Sequence, residues 1–324
     1  MRFTLVLLLL VLFPAVLLPA APAADQYPPP GRMIDVGGRK LHLNCTGKGS
    51  PTVVLVAGGA AFSIDWALVQ PRISVVTRVC SFDRGGLAWS DSGPADETVE
   101  QTINDLHTLL KTAKEKAPYV LVGASIGGIF IQAYQRAFPK EVGGLVFTNS
   151  ANRVGKMVKE KGGLIWDLTE DEIRSAYPPP PTITKGPMPT REGAPFDRLS
   201  PELQAVRLSF DVRLWEKWDR TKVGPEADLS WRKEFLHEFE ETKTKEYPLG
   251  NLPVVVISSG PKAPEAERRS REGAAARLDF LSSNSAHITA QGSGHEIHLF
   301  QPDVVVDGLA HMINAVRKRV SLSR

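Results

Sequence analysis

Tyr119-Val120-Leu121-Val122-Gly123-Ala124-Ser125-Ile126-Gly127-Gly128 is the stretch on which the reading of this chain turns. Tyr119 to Val122 are aromatic or aliphatic, which predicts a buried strand. Ile129 to Ala137 continue with helical character and stop ahead of Pro139. Between them lies Gly-x-Ser-x-Gly. A turn straight from strand into helix forces strained dihedrals on Ser125, and Gly123 and Gly127 leave room for the crowded backbone on either side. The serine oxygen then stands at the strand tip above a helix N-terminus, with the Ile126 N–H placed to bind an oxyanion. A glycine-rich loop with an incidental serine is the plainer alternative, and the strand–turn–helix context argues against it.

Working outward, Thr52-Val53-Val54-Leu55-Val56-Ala57 is a continuous β-branched run, the pattern of a strand buried on both faces. Gly58-Gly59-Ala60-Ala61 follows, then a helical stretch with Trp66 and Leu68. Val79 to Phe82 reads as the next strand, ending at Asp83-Arg84-Gly85-Gly86. Val99, Ile103, Leu106 and Leu110 make a helical stripe over 97–114. Val142 to Asn149, Leu252 to Ser258 and His287 to Ala290 supply further strands, with helices closing at Arg277 to Leu281 and over Val304 to Val316 behind Pro302. Ahead of all these, Met33 to Val36, Gly37-Gly38 and Arg39 to Asn44 read as a hairpin. Strand and helix alternate after it, which predicts a mostly parallel sheet with helices on both faces.

Residues 151–250 interrupt the alternation. The aliphatic strand runs vanish, charge rises, and Pro178 to Pro181, Pro187 and Pro189 appear. The segment reads as a mainly helical insertion that divides the core into 33–150 and 251–324. It holds four of the six tryptophans, Trp166, Trp215, Trp218 and Trp231, either as the core of a small added layer or as the lining of an apolar pocket.

At the start, Arg2 precedes an apolar run from Phe3 to Leu18, and Ala21-Pro22-Ala23 ends it: the pattern of a secretory signal peptide over 1–23. A retained membrane anchor is the alternative, since the run is nearly long enough to span. Residues 24–32 read as a Pro-rich linker, and the mature chain carries no stable membrane span. A formal charge of +3 is too small and scattered to indicate nucleic acid. The pattern gives no oligomeric state. Two cysteines, Cys45 and Cys80, in an exported chain invite a disulfide.

A serine hydroxyl needs a base. Of seven histidines, His295 in Gln291-Gly292-Ser293-Gly294-His295 follows the last strand, where a turn can carry an imidazole over Ser125. It is favoured over His298. His42, His287, His107, His311 and His237 fall in strands, helices or the insertion and read as structural or exposed. His295-Glu296-Ile297-His298 lacks the H-E-x-x-H spacing, so no metal and no cofactor is expected. Two backbone donors, Gly59 N–H and Ile126 N–H, complete an oxyanion site.

On Gly58-Gly59, Ser81-Phe82-Asp83-Arg84-Gly85, Trp89-Ser90-Asp91, Gly123 to Gly128 and Gly294-His295-x-x-His298, the chain resembles the α/β-hydrolases, and among them exported bacterial-type esterases and lipases. The resemblance implies an eight-stranded, mostly parallel sheet in the order 1-2-4-3-5-6-7-8, opened by an antiparallel hairpin and carrying a helical cap. That order places Cys45 and Cys80 on adjacent strands, and a bridge between them would contribute about 3 kcal/mol. Members usually carry His where this chain has Ala124, and often where it has Ala57. Relatives with dehalogenase or epoxide-hydrolase chemistry use Asp in the place of Ser125.

The third catalytic member is the departure. After the seventh strand comes Gly260-Pro261-Lys262-Ala263-Pro264-Glu265, with no Asp. The other family location, the tip of the sixth strand, is Asn149. Either Glu265 or Glu267 reaches His295, or Asn149 orients it through its amide oxygen, in which case Asn149→Asp would raise turnover. Loss of the charged acid from such a triad costs about 10⁴ in rate. The expected function is therefore an exported serine hydrolase acting on carboxylic esters or related acyl substrates. The alternative is a catalytically impaired ligand-binding protein on the same scaffold.

Overall fold

Strands buried on both faces must put successive side chains into two different cores, and the central sheet does so. In the computed structural model, which describes residues 27–93, 98–150, 157–160, 163–166, 187–217, 249–260 and 282–322, the core strands are β3 (Thr52–Val56), β4 (Val79–Phe82), β5 (Tyr119–Ala124), β6 (Val142–Thr148) and β9 (Val254–Ser259). Val54, Leu121, Phe147 and Val256 face one apolar cluster, filled from the other side by Leu106 and Leu109 of α2 (Val99–Thr112) and Tyr134 of α3 (Gly127–Ala137). Val53, Val120, Val146 and Val255 face the opposite cluster, against Ile73 of α1 (Gln70–Ser74) and Leu309 and Met312 of α6 (Pro302–Lys318). Each fully buried Val or Leu contributes about 1.5–3 kcal/mol, so the two-sided runs carry most of the fold's driving force.

The hairpin β1 (Arg32–Asp35) and β2 (Lys40–Thr46) and the last strand β10 (Ser285–Ala290) complete an eight-stranded sheet in the order β1-β2-β4-β3-β5-β6-β9-β10. β1 and β2 are antiparallel to each other, β2 is antiparallel to β4, and the remaining pairs are parallel. This is the order expected by resemblance. The hairpin turn is held by Asp35, whose Oδ1 accepts from Gly37 N–H at 2.7 Å and Gly38 N–H at 3.0 Å. Cys45 sits directly opposite Cys80 in the β2/β4 register, and the two form a disulfide with S–S 2.02 Å.

Several expectations shift in detail. The stretch holding Trp66 forms a short 3₁₀ turn (Ser63–Trp66) followed by α1 rather than one helix, because Pro71 starts the helix anew at its first turn. Within 151–250 the chain forms α4 (Pro201–Lys217) and also an antiparallel strand pair, β7 (Met157–Glu160) with β8 (Gly163–Trp166), separate from the main sheet. Tyr27 to Gly31, read as part of a free linker, is fastened to the body. Trp89 Nε1 donates to the Tyr27 carbonyl at 2.8 Å, and His42 Nε2 bonds the Pro30 carbonyl. The signal-peptide reading over 1–23, the helix at 277–281, and Trp218, Trp231 and His237 lie outside the described residues. No helix among the described residues is long and apolar enough to cross a membrane.

Candidate active site

The carboxyl ends of β3, β5, β6 and β9 meet at one edge, where open α/β sheets bind their ligands. Ser125 leaves the tip of β5 with φ +52°, a left-handed conformation costly for a residue with a side chain. The surrounding packing imposes it. A Cβ on Gly123 would lie 2.6 Å from the Gly127 backbone, and a Cβ on Gly127 would lie 2.6 Å from the Val56 carbonyl oxygen. Only glycine at both positions lets α3 start immediately and close against β3. Gly128 N–H donates to the Ser125 carbonyl at 3.1 Å, so the turn at the serine closes directly onto the first residues of α3.

The loop after β3 runs beside that serine. A Cβ on Gly58 would come within 3.1 Å of Ser125 Cβ and 3.8 Å of its Oγ. Gly59 and Ala60 are exposed, and among the described residues nothing accepts a hydrogen bond from their N–H groups or from that of Ile126. Gly59 thus follows the residue that touches Ser125, and Ile126 leads from Ser125 into α3.

Asn149, the first residue past β6, adopts φ +46°, which Asn tolerates better than most residues. Its amide has a single orientation that satisfies its neighbours. Oδ1 accepts from Ser259 N–H at 3.1 Å and Ser259 Oγ at 3.2 Å, and Nδ2 donates to the carbonyls of His295 at 3.0 Å and Gly294 at 3.3 Å. The amide oxygen expected to orient the His295 ring is therefore engaged at the end of β9. Asn149 meets His295 at the backbone, and it ties the histidine loop to the tips of β6 and β9.

His295 is exposed in the loop between β10 and α5 (Ile297–Phe300), whereas His298 is buried within α5. The His298 ring lies 4.5 Å from the Trp66 ring, and its Nδ1 has no hydrogen-bond partner among the described residues. Burial, with lesser contributions from His295 and Arg207, pushes its pKa down to about 3. A ring that neutral is a poor proton acceptor at neutral pH. Glu265 and Glu267 lie outside the described residues.

Two constellations escaped the sequence reading. The first joins Asp83, His42 and Ser63, all buried. His42 Nδ1 pairs with Asp83 Oδ2 at 2.7 Å, Ser63 N–H donates to Asp83 Oδ1 at 2.7 Å, and Ser63 Oγ donates to Asp83 Oδ2 at 3.2 Å. Its composition imitates a catalytic triad, but it is sealed and serves to lock the hairpin and the loop after β3 onto the tip of β4. The second surrounds Arg207 of α4. Its Nε donates to Asp65 Oδ1 at 2.8 Å, and Nη1 donates to Glu192 Oε2 at 3.1 Å and to Asp211. The guanidinium also stacks 3.5 Å from the Phe196 ring. Burial outweighs the arginine and pushes Asp65 up to about 6 and Glu192 up to about 7. Phe210 of α4 packs edge-on to Phe62 at 5.3 Å, and Arg198 donates to the Leu299 carbonyl at 2.7 Å. Residues 196–217 are thereby fixed to the loop after β3 and to α5. Among the described residues, the one cluster of potential metal-ligand atoms is Cys45, Cys80 and Glu115, and its sulfurs are consumed by the disulfide.

Comparison with known proteins agrees with the fold. The chain is 29% identical to the probable transporter efuK of Hormonema carpetanum over 90% of its own length, and it spans 44% of that protein's length. Its structure is similar to that of a serine hydrolase involved in carbazole degradation, the CarC enzyme. There the TM-score is 0.56 at 18% identity, covering 87% of this chain and 98% of the other. A thermophilic esterase from Thermogutta terrifontis gives a TM-score of 0.54 at 19% identity, over 86% and 94% of the two chains. At such identities the likeness concerns the fold. The family model described as alpha/beta hydrolase fold matches residues 51–302, well over half of the sequence, so the sheet order is an inherited one and this chain belongs to the α/β-hydrolase fold family.

Proposed function

We propose that this hydrolase-fold protein is an exported serine hydrolase that cleaves carboxylic esters or related acyl substrates. The observation that carries the reading is the strained Ser125, held at φ +52° between Gly58 and the start of α3. Strain of that kind persists only where the surrounding structure enforces it, and it exposes the hydroxyl at the sheet edge. Ser125 Oγ attacks the substrate carbonyl carbon while His295 takes the hydroxyl proton. The oxyanion is bound by Ile126 N–H and Gly59 N–H. Collapse expels the alcohol, which receives its proton from His295, and water then releases the acid from the acyl-enzyme by the same steps. Export is supported by the N-terminal pattern and by the Cys45–Cys80 disulfide, which persists in oxidising compartments.

A fluorophosphonate probe tests the nucleophile. Purified folded protein is expected to be labelled at Ser125, the Ser125→Ala variant is not, and a p-nitrophenyl ester series then reports the preferred acyl length. One observation favours a second reading: Asn149 is neutral, and its oxygen is committed to Ser259. A ligand-binding protein on this scaffold predicts no labelling and no turnover in the folded wild type. Abolition of turnover by Glu265→Gln or Glu267→Gln would instead place the charged third member after β9.

A further inference from the structure

The loop after β3 is gripped from beneath by one side chain. Arg84 Nη2 donates to the Gly58 carbonyl at 2.6 Å and to the Gly59 carbonyl at 2.7 Å. Both peptide units are trans, so each carbonyl points opposite to the N–H of the residue that follows it. Drawing the two oxygens onto one nitrogen turns the N–H groups of Gly59 and Ala60 together toward the other side of the loop. That loop is in contact with Ser125 through Gly58. The arginine is itself well braced: its guanidinium carbon lies 4.9 Å from the ring centroid of Phe130 in α3, the helix that begins at the nucleophile turn. The preceding residue, Asp83, holds the far end of the same loop through Ser63 N–H.

We propose that Arg84 is the positioning residue of the oxyanion pocket. It orients two successive N–H groups, those of Gly59 and Ala60, to join Ile126 N–H around the carbonyl oxygen of the substrate. The loop then offers two donors rather than Gly59 alone. The proposal rests on the serine-hydrolase reading above. Arg84 never touches substrate, and its effect is on the transition state, because only there does the oxygen carry the charge that the N–H groups stabilise.

The test compares Arg84→Met, Arg84→Lys and Arg84→Ala with wild type, each checked for folding by circular dichroism and melting. Loss of an oxyanion donor costs about 10²–10³ in kcat, so Arg84→Met is expected to lose about 10²-fold in kcat with little change in KM. Its affinity for a trifluoromethyl ketone, an oxyanion-forming inhibitor, is expected to fall by the same factor. Arg84→Lys keeps the charge and part of the grip, and retains intermediate activity. Millimolar guanidinium ion is expected to restore activity to Arg84→Ala, which a merely structural role would not produce. Should Arg84→Met fail to fold, Arg84→Lys carries the comparison. The proposal is overturned if a folded variant keeps its kcat and inhibitor affinity, or if its loss lies in KM alone. Failure of the underlying reading looks different: wild-type protein then neither reacts with fluorophosphonate nor turns over esters.

Discussion

Asn149 shows how a single side chain can be right in place and different in use. Its position at the tip of β6 follows from strand counting, but its bonds depend on Ser259, 110 residues away, and on the carbonyls of a loop 145 and 146 residues away. Nothing in local sequence links those segments. The geometry reverses the expectation attached to substitution. An aspartate at 149 would replace the donating NH₂ with a charged oxygen facing two carbonyls, while the contact with Ser259 would survive. Asn149→Asp is therefore expected to lower stability by about 1–3 kcal/mol and to reduce ester turnover, as chemical denaturation and p-nitrophenyl acetate kinetics will read. A rise in turnover would show that charge at this position outweighs the lost tether. Ser125, by contrast, was legible from its own pentapeptide, because the strained turn needs glycine on both sides and leaves that need written in the sequence.

At the scale of elements, the core strands were legible because burial on both faces demands an uninterrupted apolar run. Helix α4 and its attachment were not. The groups that dock it, Asp65, Glu192, Arg207 and Asp211, come from three segments, and charged residues usually read as solvated surface. Three carboxyls around one guanidinium give this junction a pH dependence. With the Asp65 and Glu192 pKa values raised to about 6 and about 7, the folded state holds these protons more tightly than the unfolded chain. Their contribution is most favourable at low pH and is lost as pH rises through 6 and 7. The Glu192 side chain is only 4% exposed, so solvent screens it little. Glu192→Gln is accordingly expected to remove about 1 kcal/mol of the stability that wild type loses between pH 6 and pH 8. Denaturant titrations of both proteins at the two pH values check this, and equal losses would separate α4 docking from this carboxyl.

For the whole molecule, the sheet order turned two cysteines 35 residues apart into direct cross-strand neighbours. Closing that loop restricts the unfolded chain, and the double variant Cys45→Ala/Cys80→Ala is expected to lose about 3 kcal/mol in urea unfolding under oxidising conditions. Wild type treated with reductant should approach the same value; an unchanged midpoint would mean the bridge contributes nothing to stability. The fastening of the amino-terminal segment has a different kind of consequence. Tyr27 joins the apolar cluster that also holds Phe62 and Phe210, so the chain enters the body where the insertion meets the loop beside Ser125. Loss of Tyr27, or a bulky group joined to it, would therefore be felt at the wall beside Ser125 as a loosened packing of Phe62 and Phe210.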